Sequence, residues 1–267
     1  MPLHLSPSFR EQLAASDRSL IGMWACSGSP LVTEVAAGSG LDWMLIDMEH
    51  SANTLESTLL QLQVVAAYPI TPVVRVPFND AVAIKQVLDL GAQNLIVPMV
   101  SSADEARAAV AATRYPPDGV RGVGSALARS ARWNRIDGYL QDSAMHTSLT
   151  VQIETAAGVS AAAEIAAVDG VDAVFVGPSD LSASMGLLGQ QTHPEVVSAV
   201  EQVFAAVKAA GKPVGVNAFD PAAADTYIAV GADFVAVGAD VAMLARASEA
   251  LAARFIPASD DMTRASY

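Results

Sequence analysis

Eight short runs rich in valine, isoleucine and aromatic residues recur along the chain, at residues 20–25, 42–48, 72–76, 94–98, 149–153, 172–176, 213–216 and 233–237. Several start one or two residues after a glycine, as in SGLDWMLIDM, LGAQNLIVPM, DGVDAVFVG and VGADFVAVG. A helix that ends at a glycine and feeds straight into a buried parallel strand leaves this punctuation. Between the runs, the windows 80–90, 103–113 and 194–210 place apolar residues at helical spacing, and a further helix is predicted over 240–255. Strand and helix alternating eight times within 267 residues predict an α/β fold, a (β/α)8 barrel, as one domain over residues 1–267. A doubly wound open sheet is the competing architecture. The polar end, from about residue 256, is expected to fray. Between Pro98 and Leu149 the 103–113 helix is followed by residues 115–146, too long for an ordinary connection, so this segment is expected to cover a site or meet a neighbouring subunit.

Charge narrows the function. Fifteen basic side chains stand against 28 acidic ones, a net charge of −13 and a pI near 4.5, which cannot supply the broad basic face that nucleic acid needs. Mean hydropathy is +0.36, yet no run approaches the roughly 18 apolar residues of a membrane span. The first residues lack the basic start and continuous apolar stretch of a signal peptide. Cys26 is the single cysteine, so no intramolecular disulfide forms. The expected setting is cytoplasmic.

In a barrel of this kind, chemistry belongs to the polar residues that end the strands. The second run ends with Asp47, Glu49 and His50, the third with Arg75, and the fifth with Gln152 and Glu154, which share a face because side chains alternate along a strand. Asp180 follows the sixth run and Asn217 the seventh. Glu154 and Asp180 are a candidate pair of ligands for a hard divalent cation. The alternative is a solvated strand end and an N-cap for a helix starting near Leu181. His50 is a candidate general base or a surface histidine, and Asp47 and Glu49 are candidate caps of the helix announced by ANTLEST. Arg75, flanked by Val73, Val74 and Val76, needs an anionic partner: Glu154, as a structural pair, or a substrate oxyanion. The GVRGVG segment, residues 119–124, fits neither phosphate-loop pattern and is expected to be a tight turn. Only Lys85, Lys208 and Lys212 occur, none at a strand's carboxyl end, which excludes an imine-forming lysine.

The motifs MLIDMEH, VVRVP, GAQNLIVPMV, YPPDGVRGVG, VQIET and VGPSDLSASMG, in that order, resemble the class II, metal-dependent 2-keto-acid aldolases of the HpcH/HpaI family, which act on 4-hydroxy-2-oxoheptanedioate and 2-keto-3-deoxy sugar acids. The resemblance runs from about residue 21 to 247. It implies a (β/α)8 barrel assembled as a homo-hexamer, a dimer of trimers with exchanged carboxy-terminal helices. It implies reversible cleavage of 4-hydroxy-2-oxo acids to pyruvate, or a related 2-oxo acid, and an aldehyde, in aromatic or sugar-acid catabolism.

By the same resemblance Glu154 and Asp180 are the ligands of Mg2+, Mn2+ or Co2+, and His50 is the catalytic base. Asp89 is the acid that supports it, in some cases from an adjacent subunit. Arg75 contacts the keto oxygen, Gln152 is the pocket amide, and Gly177, Pro178, Ser179 and Asp180 cradle the substrate carboxylate. Asp47 and Glu49 match acids near the metal-bound water, while Trp24, Val216, Asn217 and Ala218 fall where the aldehyde is chosen. An enolate stabilised by the metal and by Arg75 would carry the reaction. Two other readings stand beside this one: a citrate lyase β-like lyase of acyl-CoA thioesters, which needs a basic nucleotide groove, and a catalytically idle barrel kept for binding or assembly.

Overall fold

All eight runs are strands in the computed structural model, which describes residues 3–256: β1 (Leu20–Ala25), β2 (Trp43–Asp47), β3 (Thr71–Arg75), β4 (Asn94–Val97), β5 (Ser148–Ile153), β6 (Ala173–Val176), β7 (Val214–Asn217) and β8 (Phe234–Ala239). They pair in parallel in chain order, and β8 returns to β1, closing the barrel. The tail after residue 256, expected to fray, lies outside the described residues.

Alternation along each strand sorts the core into two layers. Leu20, Trp24, Trp43, Leu45, Val73, Ile96, Phe175 and Phe234 form an inner cluster. Met44, Ile46, Val74, Leu95, Val151, Val174 and Val216 join the larger cluster between strands and helices. The inner layer is aromatic, so a small neighbour is required: a Cβ on Gly22 would lie 2.3 Å from the Trp43 indole. One end of the barrel is plugged. The Phe9–Ala15 helix, fastened by a Ser8–Glu11 capping box, sends Phe9 inward to meet Phe234 edge-on at 5.2 Å, and its backbone N–H donates to Asn94 Oδ1 at 2.7 Å at the start of β4. The carboxyl ends of the strands stay open.

The helices at 103–113 and 240–255 have the predicted bounds, and those at Ala81–Asp89 and Pro194–Ala209 differ from expectation at their ends. Asp80 and Ser102, each accepting backbone N–H groups, cap two of them. The long stretch before β5 contains a single 3-10 turn, Arg129–Ala131, and one short helix, Tyr139–His146, that periodicity did not reveal.

Residues 119–124 are not a tight turn. The chain runs back along the end of the Ala103–Thr113 helix, with Val120 N–H donating to Ala111 O at 2.8 Å and Arg121 N–H to Arg114 O at 2.9 Å. The cause is Arg121, buried to 1% exposure, stacked on Tyr115 at 4.7 Å and paired with Asp89 at 2.8 Å. Among the described residues, no helix is long and apolar enough to cross a membrane.

Candidate active site

Asp47 and Arg75 end neighbouring strands and are register partners. Both are buried, and Arg75 Nε donates to Asp47 Oδ1 at 2.8 Å. Arg75 Nη1 lies 2.9 Å from Glu49 Oε2, and the guanidinium stacks on Trp24, 4.2 Å from its ring centroid. Glu154 is therefore not its partner; the nearer strand ends supply two carboxylates. Burial pushes the Glu49 carboxyl up against the opposing pull of Arg75. Asp47 also accepts the backbone N–H of Glu49 at 3.0 Å and of His50 at 3.2 Å. It thus shapes the loop that carries His50 and does not cap the Leu55–Val65 helix. Thr54 does that, with Ser57.

Across the barrel Glu154 follows β5, 1% exposed. Its Oε1 accepts the Met99 backbone N–H at 2.7 Å and its Oε2 accepts Gln152 Nε2 at 2.5 Å. Desolvation pushes its pKa up to about 7; the Met99 hydrogen bond opposes this, and the charges of Glu49 and Asp180 add to it. A buried carboxylate so placed gains from any cation that enters. Gly177 packs against this pair so closely that a Cβ there would fall 2.7 Å from Glu154 Oε2 and 2.9 Å from Gln152 Nε2. Gln152 Oε1 is buried without a hydrogen-bond partner.

Asp180 is exposed, in the first turn of the Pro178–Ser184 helix whose N-cap is Gly177, so it is not an N-cap. The first-turn N–H groups of Ser179 and Asp180 have no helical acceptor. A cavity of about 300 Å³ opens beside these groups, lined by Trp24, Asp47, His50, Arg75, Gln152, Gly177, Pro178, Ser179, Asp180 and Asn217, with Cys26, Phe175, Phe219, Ala239, Val241 and Ala242; Glu49 and Glu154 stand behind this lining, against Arg75 and against Gln152 and Gly177.

Three expected site residues stand elsewhere. Val216 is fully buried in the layer between strands and helices, because alternation turns its neighbour Asn217 to the cavity instead; Ala218, also buried, is absent from the lining. Asp89, at the end of the Ala81–Asp89 helix, pairs with Arg121. The acid beside the His50 imidazole is Glu49, 3.9 Å from Nε2.

A profile of the HpcH/HpaI aldolase/citrate lyase family matches residues 20–247. The chain belongs to this family. This HpcH/HpaI protein is 53% identical over 248 residues, 93% of its length and 94% of the relative's, to a 4-hydroxy-2-oxo-heptane-1,7-dioate aldolase of Salmonella dublin. A crystal structure of a family protein from Burkholderia cenocepacia J2315 superposes with a TM-score of 0.88 at 41% identity, covering 92% of this chain and 97% of that one. An HpcH/HpaI aldolase from Desulfitobacterium hafniense DCB-2 superposes at 0.86 with 28% identity, covering 97% and 100%. The HpcH/HpaI chain is an enzyme, an aldolase among the carbon–carbon lyases.

Three residues at this HpcH/HpaI site escaped the sequence. Met99, with φ of 57°, holds a left-handed conformation uncommon outside glycine and aims its N–H at Glu154. Phe219 lines the cavity from a loop with no periodicity. Asp240 accepts the N–H groups of Cys26 and Ser27 at 2.8 and 3.1 Å, tying β1 to the last helix.

Proposed function

We propose that this enzyme reversibly cleaves 4-hydroxy-2-oxo acids to pyruvate, or a related 2-oxo acid, and an aldehyde, with a divalent cation, Mg2+, Mn2+ or Co2+, held by Glu154 and Asp180. The observation that carries the reading is the meeting of the buried Arg75 guanidinium, Gln152 and the exposed Asp180 on one cavity, with the buried Glu154 carboxylate directly behind its lining, against Gln152 and Gly177. The Salmonella dublin relative bears the name of one such acid.

The donor set suits a hard cation. Among the described residues no group of three or more His, Cys, Asp or Glu side chains is arranged to hold a metal ion by itself, and Mg2+ is commonly bound through one or two carboxylates with substrate oxygens and water. Each oxygen of Glu154 keeps a lone pair beyond the donor it already has. When bound, the cation supplies fixed positive charge for the carboxylate and keto oxygens of a 2-oxo acid.

The chain's own residues do the rest. Asp47 and Glu49 hold the Arg75 fork at the keto oxygen, where it meets the negative charge that develops as C3–C4 breaks. Backbone N–H groups of Ser179 and Asp180 receive the substrate carboxylate beside Gly177 and Pro178, and Gln152 orients Glu154. His50 takes the proton of the C4 hydroxyl as the aldehyde forms; C3 is protonated to give pyruvate, and aldol addition reverses these steps.

The homo-hexameric reading belongs to this proposal. The last helix, Asp240–Phe255, exposes Met243, Leu244, Leu251 and Phe255, an apolar surface suited to a second copy, and Asp89 would then serve His50 of the partner subunit. An acyl-CoA substrate finds little support, since among the described residues Arg75 and His50 are the only basic side chains lining the cavity. The test is pyruvate release from a panel of 4-hydroxy-2-oxo acids, by chelated protein and after return of Mn2+, Mg2+ or Co2+. Metal-restored turnover is expected. Full turnover after exhaustive metal removal overturns the reading.

A further inference from the structure

Trp24 Nε1 donates to Asn217 Oδ1 at 2.7 Å. An indole N–H is a donor only, so the amide oxygen of Asn217, and not its nitrogen, must face the ring. This fixes the other half of the amide. Nδ2 carries two donors, and no acceptor for either occurs among the described residues. Asn217 is half-buried and lines the cavity, so these donors belong to the pocket.

The surroundings define what they meet. The Trp24 ring carries Arg75 against it, 4.2 Å from its centroid, and Asn217 on its nitrogen, so it separates the guanidinium from the amide. Of the two strands beside β7, β8 and the helix after it give the lining Ala239, Val241 and Ala242, and Phe219 follows Asn217 itself, whereas the polar Ser179 and Asp180 follow β6. Towards β8, Asn217 offers a side-chain amide donor among apolar residues. We infer that Asn217 is a specificity-determining residue that donates a hydrogen bond to an oxygen acceptor on the aldehyde fragment, so that the enzyme prefers aldehydes bearing a hydroxyl or carboxylate beyond the carbonyl. The inference rests on the aldolase reading above. Trp24 acts as the positioning residue that keeps the amide turned.

The test is the metal-loaded enzyme running aldol addition of pyruvate to two near-isosteric pairs, glycolaldehyde against propanal and 4-oxobutanoate against 4-methylpentanal. Aldehydes differ in intrinsic reactivity, so the readout is the change in each pair's kcat/KM ratio on substitution. Asn217→Leu should lower the ratio of at least one pair by about tenfold, the size expected for one hydrogen bond at a partly exposed site. A drop in the first pair alone names a hydroxyl as the acceptor, and a drop in the second alone a carboxylate. Trp24→Phe, which frees the amide to turn, should lower the same ratio, and the double variant should add nothing to Asn217→Leu. Wild-type turnover with ratios that neither single variant changes overturns the inference and leaves the aldolase reading intact. No aldol product from any aldehyde overturns both.

Discussion

Asp47 Oδ1 accepts the Arg75 Nε proton at 2.8 Å, from the residue directly beside it in the parallel β2–β3 register. The same carboxylate takes the backbone N–H groups of Glu49 and His50. One buried acid thus fixes a guanidinium on the neighbouring strand and the start of the His50 loop at the end of its own.

Asp47→Ala should therefore damage the fold as well as the site. It leaves Arg75, 4% exposed, with Glu49 as its remaining ion pair. Breaking a buried pair from one side costs about 3–5 kcal/mol. Chemical denaturation monitored by circular dichroism should show a loss of that order. A loss below about 1 kcal/mol, the usual ceiling for an exposed pair, would mean that the contact does little.

Gly177→Ala tests the packing behind the proposed metal ligand. The new methyl carbon would meet Glu154 Oε2 at 2.7 Å and Gln152 Nε2 at 2.9 Å, and both side chains are buried. Glu154 must move. Calorimetric titration with Mn2+ should show affinity about 10–100-fold weaker, the range seen when groups supporting a ligand are disturbed. Unchanged affinity would place the cation elsewhere.

Met99→Gly should leave the protein at least as stable. The Met99 side chain is 41% exposed, so little packing is lost, and a left-handed conformation costs an L-residue roughly 1–2 kcal/mol that glycine avoids. Its N–H still reaches Glu154. A thermal midpoint several degrees lower would show that the side chain holds the loop through contacts.

The barrel was legible because each strand is a short buried run and each helix repeats its apolar residues, so two local periodicities carry the architecture. Strand ends announced most of the rim by the same logic: Gln152 and Glu154 fell on one face through simple alternation. What escaped depends on contacts distant in sequence. The partner of Arg75 is decided by strand order, which puts Asp47 beside it and Glu154 across the barrel. Val216 was misplaced by one residue, and in a strand one residue exchanges the inside for the outside. The αL geometry of Met99 and the burial of Arg121 follow from tertiary packing that no local pattern encodes.

Cys26 lines the cavity, yet it should be a poor nucleophile. Burial, with the charges of Asp47 and Asp240, pushes its thiol up to about 12. Thiolate is accordingly scarce at neutral pH, and the rate of alkylation by iodoacetamide should keep rising about tenfold per pH unit past ~8.5, where a free thiol levels off. A plateau near that value would show an ordinary, accessible thiol.

The division of labour between His50 and Arg75 is the centre of the account, and comparing two reactions in two variants tests it most directly. Aldol cleavage needs both the C4 hydroxyl deprotonated and the enolate charge held; decarboxylation of oxaloacetate needs only the second. Removing one charge-stabilising donor costs on the order of 10²–10³ in rate. With metal-loaded protein, Arg75→Ala should lose both reactions by that order, whereas His50→Ala should lose cleavage strongly and keep most of its decarboxylation. Equal losses in both reactions for both variants would contradict the assignment.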